Sequence, residues 1–153
     1  MLGIISGAVA GLGTITPASG FVVPWHGLVI GVVAGSICFY ACTGIKLRFG
    51  YDDSLDVFGV HGMGGIVGTL LAGVFATAWV SATPDNPLGV AGLLDGNPRQ
   101  LLAQCYGVVA TALWSGAATL ALLRLVDAVT PLRVSKEHEI AGLDVSLHGE
   151  ALQ

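Results

Sequence analysis

Apolar residues run through this chain in long blocks, and charge is confined to the gaps between them. Residues 1–45, 57–84 and 100–123 contain no Asp, Glu, Lys or Arg. A bilayer core about 30 Å thick requires about 20 apolar residues in a helix. The pattern predicts four helices, at about 2–16, 25–46, 53–81 and 98–129, followed by a polar tail over 132–153. The first ends at "TPASGFVVP", whose prolines and glycine make a turn. At about 1.5 Å per residue it reaches only about 22 Å, so it is either re-entrant or lacks its beginning. Pro98 suits the first turn of the last helix, where a missing N–H costs nothing.

Composition sharpens this into an all-α, multi-span membrane protein. Of 153 residues, 54% are hydrophobic and only 10% charged, too few to cover a soluble surface. The net charge of −4 is dispersed and forms no basic patch, which argues against a nucleic-acid partner. Orientation follows the basic residues near the helix ends. Lys46 and Arg48 lie between the second and third helices, and Arg124, Arg133 and Lys136 lie at or after the end of the fourth. Only Arg99 is opposite. The 46–52 loop and both termini are therefore expected on the cytoplasmic side. Trp25 and Trp79 would anchor the outer interface, and Phe49 and Tyr51 the inner one.

Glycines recur at helical spacing: Gly3, Gly7 and Gly11; Gly27, Gly31 and Gly35; Gly64 and Gly68. Such stripes let backbones approach closely where lipid is as apolar as the helices themselves. Cys38 and Cys42 share a helix face, but no His or carboxylate joins them in that segment, so they and Cys105 read as small buried hydrophobes. No two of the four histidines are spaced for a shared metal, and neither a metal nor a cofactor is implied.

One residue breaks the apolar pattern. In "DDSLDVFGVHGMGGIVG", residues 52–68, His61 is the only ionisable side chain inside the third helix. Ionisable groups at depth in a membrane are costly and generally line a pathway. A helix starting near Asp53 puts His61 about 12 Å in, close to the midplane. Val57, at i−4, would share its face. Asp53 is placed to cap this helix, and Asp56, three residues on, to reach back in an acidic version of the capping box. Both could also attract cations at the inner mouth. His26, beside Trp25, reads as a hydrated interfacial histidine.

The segment "YDDSLDVFGVHGMGGIVG" resembles the ammonium transporter (Amt/Mep/Rh) family, on its Amt branch. The resemblance continues through most of the chain. "SGAVAGLGTITPASGFV" looks like the eighth span, "GLVIGVVAG" the ninth, the histidine segment the tenth and "LLAQCYGVVATALWSG" the eleventh. "GLDVSLHGE", residues 142–150, is similar to the family's cytoplasmic tail signature. This likeness implies the end of an eleven-helix transporter that assembles as a homotrimer in the plasma (inner) membrane. It implies a transporter rather than an enzyme, one that carries ammonium as ammonia through a hydrophobic pore. His61 then corresponds to one of two paired pore histidines, Val57 lies on the pore, and the other histidine belongs to N-terminal spans absent from this chain. Met1 would fall part-way into the eighth span, and the chain alone would conduct nothing. Gly142, Asp144, Ser146, His148 and Gly149 are implied as a regulatory tail, with Ser146 where plant relatives carry a phosphorylated threonine. A PII nitrogen-regulatory protein is the implied soluble partner. From the residues alone, a small four-span protein that oligomerises through its glycines stays open as an alternative.

Overall fold

A computed structural model describes residues 2–150, without the Leu2 side chain. The described residues are helical or irregular and include no strand. They fall into two compact units, residues 1–110 and 111–153.

In the first unit, α1 (Leu2–Ile15) runs into a single 3₁₀ turn, Thr16–Ala18, with Pro17 in it. A continuous rod, α2, spans Pro24–Phe49. It extends past its expected end at 46, and residues Ala41–Ile45 within it are wound as a π-helix. Gly50 ends it in the left-handed conformation, φ 60°, the usual role of a glycine after a helix.

The third helix departs from expectation at both ends. α3 spans Phe58–Phe75 rather than starting near 53. Its first five residues, Phe58–Gly62, form a second π-helical turn. The C-terminal end breaks at Ala76 and Thr77, whose ψ angles of 131° and 118° are extended, and a short helix α4 (Ala78–Ser81) follows. The break is built by distant partners. The N–H groups of Gly92, Leu93 and Leu94 donate to the carbonyls of Ala76, Gly73 and Val74, at 2.7, 2.9 and 3.1 Å. Thr77 N–H donates to Phe21 O at 2.7 Å, joining this end to the turn between α1 and α2. Asp95 accepts from Ala78 N–H at 3.0 Å and so caps α4. The carbonyls a broken helix would expose to lipid are thus taken up within the protein, which is the condition for irregular backbone at membrane depth.

α5 spans Pro98–Val129, and none of its residues is buried. Three helices, α2, α3 and α5, are long and apolar enough to cross a membrane, while α1 is a shorter apolar helix. Trp25 and Trp79, 69% and 74% exposed, lie on the two segments joined by the Thr77–Phe21 bond, at one end of the unit.

Packing selects other faces than the glycine stripes suggest. The buried positions are Ala10, Thr14 and Ala18 on α1 and its following turn, Ile30, Ala34, Cys38 and Ala41 on α2, and Gly59, Val60, Gly64, Gly68, Ala72 and Gly73 on α3. Gly64 and Gly68 do meet α1: a Cβ at Gly68 would run into the carbonyl of Thr14, and one at Gly64 would lie 2.9 Å from Thr14 Oγ1. Gly3, Gly7, Gly11, Gly31 and Gly35 have nothing within 4 Å of where a Cβ would stand. The first stripe therefore marks no contact within this unit, and the second marks one only at Gly27, whose Cβ would lie 3.8 Å from Ile15 Cδ1. The seam instead follows Ala, Thr and Cys, which are also small enough for close approach.

In the second unit the tail carries a short helix α6 (Lys136–Ala141) and a π turn at Asp144–His148. Arg133 Nε donates to Glu139 Oε1 at 2.7 Å.

Candidate functional site

The start of α3 carries the candidate site, and three acidic or basic side chains shape it. Both carboxylate oxygens of Asp53 accept backbone hydrogen bonds, from Val57 N–H at 2.8 Å and Phe58 N–H at 2.9 Å. Asp53 thus caps the helix from outside its first turn. Asp56 does not reach back as a capping-box partner. Its backbone is left-handed, φ 55°, the one such non-glycine among the described residues. Its carboxylate turns to α2, where Lys46 Nζ donates to Asp56 Oδ1 at 2.7 Å and to the Asp53 carbonyl at 2.6 Å. These contacts force the chain to stay irregular through residue 56, which is why the helix starts late.

His61 consequently sits only three residues into α3, about 5 Å along its axis rather than about 12 Å. It lies inside the π turn Phe58–Gly62. Such wide turns are rare and frequently accompany functional sites. Its neighbour across the seam is Gly13 of α1: a Cβ there would stand 3.9 Å from His61 Nδ1. The ring is exposed within this unit, as is Val57, 52% exposed. The imidazole therefore stands at the edge of a wall formed by α1 and α3, bounded on one side and open on another.

The turn behind His61 is held tightly. Cys42, on the π segment of α2, packs its thiol where a Cβ on Gly59 would go. The Cys38 thiol points at the Val60 carbonyl, 3.9 Å away. Tyr51 stacks edge-on against Phe58, ring centres 5.7 Å apart, with its hydroxyl buried and unpartnered. Partial burial, reinforced by the Asp53 carboxylate, holds the Tyr51 phenol above its ordinary pKa.

His26, expected as a hydrated interfacial ring, is half-buried. It stacks on Phe75 with ring centres 4.8 Å apart, and its Nδ1 is buried without a hydrogen-bond partner. It lies with Phe75 at the break in α3.

The tail residues fold locally. Gly142 and Gly149 both take positive φ, 91° and 69°, and flank the π turn that carries Asp144, Ser146 and His148. Ser146 Oγ donates to the Gly142 carbonyl at 2.8 Å.

Sequence reading missed Lys46, Cys42 and Gly13. Lys46 was informative only as a marker of orientation, and Gly13 lies outside the i,i+4 stripe of its helix. Lys46 and His61 are separated by a loop in the sequence, and only the antiparallel pairing of α2 with α3 brings Lys46 to the start of the histidine's helix.

The sequence model of the Ammonium Transporter Family matches residues 1–152. The chain belongs to the ammonium transporter family. It is 42% identical over 150 residues to an ammonium transporter of Bacillus subtilis, a match covering 98% of this chain and 36% of that protein. With an ammonium transporter of Aquifex aeolicus it shares 50% over 150 residues, covering 98% of this chain and 34% of the relative. The crystal structure of Saccharomyces cerevisiae Mep2 superposes with a TM-score of 0.77 at 37% identity, over 86% of this chain and 30% of that one. The chain thus spans about a third of the length of the relatives it matches. The all-helical, multi-pass membrane architecture described above is that of this family.

Proposed function

We propose that this chain forms one side of an ammonium-conducting pore, with His61 as a pore-lining imidazole. One observation carries the reading: the only ionisable side chain of α3 stands beside a glycine and faces open space, in a protein of the ammonium transporter family. The cost of moving charge into hydrocarbon explains why such a ring is useful. A bare cation transferred into hydrocarbon costs of order 20 kcal/mol in the idealised limit. Ammonium can shed its proton instead, for about 3 kcal/mol at neutral pH, with each pKa unit worth about 1.36 kcal/mol. Potassium has no proton to lose. A narrow apolar passage that admits neutral ammonia therefore selects by deprotonation. Either nitrogen of a neutral imidazole can hydrogen-bond the uncharged species, and the ring can bind a proton near neutral pH.

On this reading a second histidine from further spans faces His61, Val57 lines the route, and Asp53 and Asp56 lie near the inner mouth. The assembly is a trimer in the plasma membrane with its tail in the cytoplasm. The tail residues Gly142, Asp144, Ser146, His148 and Gly149 form a regulatory surface that a PII protein could recognise.

The test is His61→Leu and His61→Ala in the native membrane assembly containing this chain. Ammonium-driven current and methylammonium uptake should be abolished or change selectivity, with protein level in the membrane unchanged. Wild-type flux and selectivity in both variants would refute the pore role and favour a structural one.

A further inference from the structure

Three residues spaced by one helical turn on α2 meet the start of α3 in reverse order. Cys38 lies against the Val60 carbonyl, Cys42 against Gly59, and Lys46 against Asp56 and the Asp53 carbonyl. The last of these is the only charged contact, and it falls where the chain changes from loop to helix. Asp56 O accepts from Val60 N–H at 2.8 Å, the bond that opens the helical ladder, while Asp53 caps Val57 and Phe58. The Lys46 ammonium stands between two aspartates three residues apart, holding one by its side chain and the other by its backbone.

We propose that Lys46 is a positioning residue for His61. By fixing Asp56 in its left-handed conformation and the Asp53 carbonyl beside it, Lys46 sets where the π turn begins, and so the direction in which the imidazole leaves α3. Asp53 could still cap a helix without Lys46, but Asp56 would lose the contact that ties its left-handed backbone to α2. The Asp56 carboxylate would lose its cation and the Asp53 carbonyl its donor, and the wide turn has a tighter α-helical alternative. A slip of one residue swings a side chain by about 100° around the helix axis. That is enough to turn the ring from the open side beside Gly13 towards a neighbouring helix. The functional meaning rests on the pore reading of His61, although the placement of the ring does not.

The experiment therefore reads the ring. In the native assembly, selectively ¹⁵N-labelled at histidine and held in lipid nanodiscs at fixed pH, His61 and His26 are assigned by single His→Gln variants. Lys46→Met should shift the His61 ring resonances and leave those of His26 in place, and Lys46→Arg should bring them back towards the wild-type positions. Unchanged His61 resonances in Lys46→Met would overturn the proposal. So would equal movement of His26 and His61, because Lys46 would then support the fold as a whole. Asp56→Asn, which removes the charge and little volume, is read in the same way should Lys46→Met fail to fold; failure of both to fold also counts against a positioning role. A shifted ring with transport unaffected would leave the positioning intact and refute the pore reading instead.

Discussion

The Cys42 thiol occupies the space that a Cβ on Gly59 would need. The Cys42 backbone is close behind it, with N and Cα 3.1 and 3.2 Å from that position. An added methyl therefore meets main chain as well as a side chain. Gly59→Ala should cost about 1–3 kcal/mol, the usual range for overpacking. Cys42→Ala in the same protein should restore only part of it, because the backbone contacts persist. Thermal melts of both single variants and the double variant in detergent measure that coupling.

Two glycines three residues apart on α3 give a sharper contrast. A Cβ on Gly68 would strike the Thr14 carbonyl, whereas nothing lies within 4 Å of one on Gly65. Gly68→Ala should separate α1 from α3 and lower the melting temperature markedly, while Gly65→Ala should be close to neutral within this unit. Equal effects at the two sites would show that the α1–α3 seam is misplaced.

Asp53→Ala removes both acceptors at the start of α3 and should cost about 0.5–2 kcal/mol, the range for losing a helix cap. Asp53→Asn keeps one acceptor oxygen and should fall between Ala and wild type. Backbone amide exchange at Val57 and Phe58 reports the cap directly and should speed up in the same order.

Tyr51 gives a prediction of opposite sign. Its buried hydroxyl has no partner, so Tyr51→Phe removes an unmet polar group and should leave stability at neutral pH unchanged or raised. The phenol is held above its ordinary value, so the folded state favours the protonated form. The wild type should then lose stability as pH climbs past the ordinary phenol range near about 10, where the unfolded chain ionises first. The Phe variant should lack that alkaline component in melts compared across pH.

In the tail, phosphorylation of Ser146 would remove the hydrogen it donates to Gly142 and add charge within the turn that carries Asp144. Ser146→Asp should open the 142–149 turn to protease faster than Ser146→Ala, which loses the same bond without gaining charge. Equal digestion of the two would remove the electrostatic contribution.

Much of the architecture was legible because a lipid-spanning helix needs little beyond length and apolarity. The 32-residue α5, opening on Pro98, is the plainest case. The break at Ala76 was not, since "FATAWV" stays apolar through it and the groups that stabilise it come from residues 92–94. Glycine spacing revealed that some faces pack closely but not which: the buried seam of α1 runs through Ala10, Thr14 and Ala18, one position away from the stripe. His61 stood out because charge at depth is rare. What holds it did not, because the Lys46–Asp56 pair depends on how two helices are laid side by side.

The three backbone hydrogen bonds donated by Gly92, Leu93 and Leu94 to the end of α3 have a practical corollary. The connection between α3 and α5 is stitched down on the far side of its exposed tip, around residues 85–88, so that tip is not what keeps the two ends together. A single nick there should leave both pieces associated on a native gel, and the site is accordingly a place to open the polypeptide, or to splice in a tag, without dismantling the helices beneath.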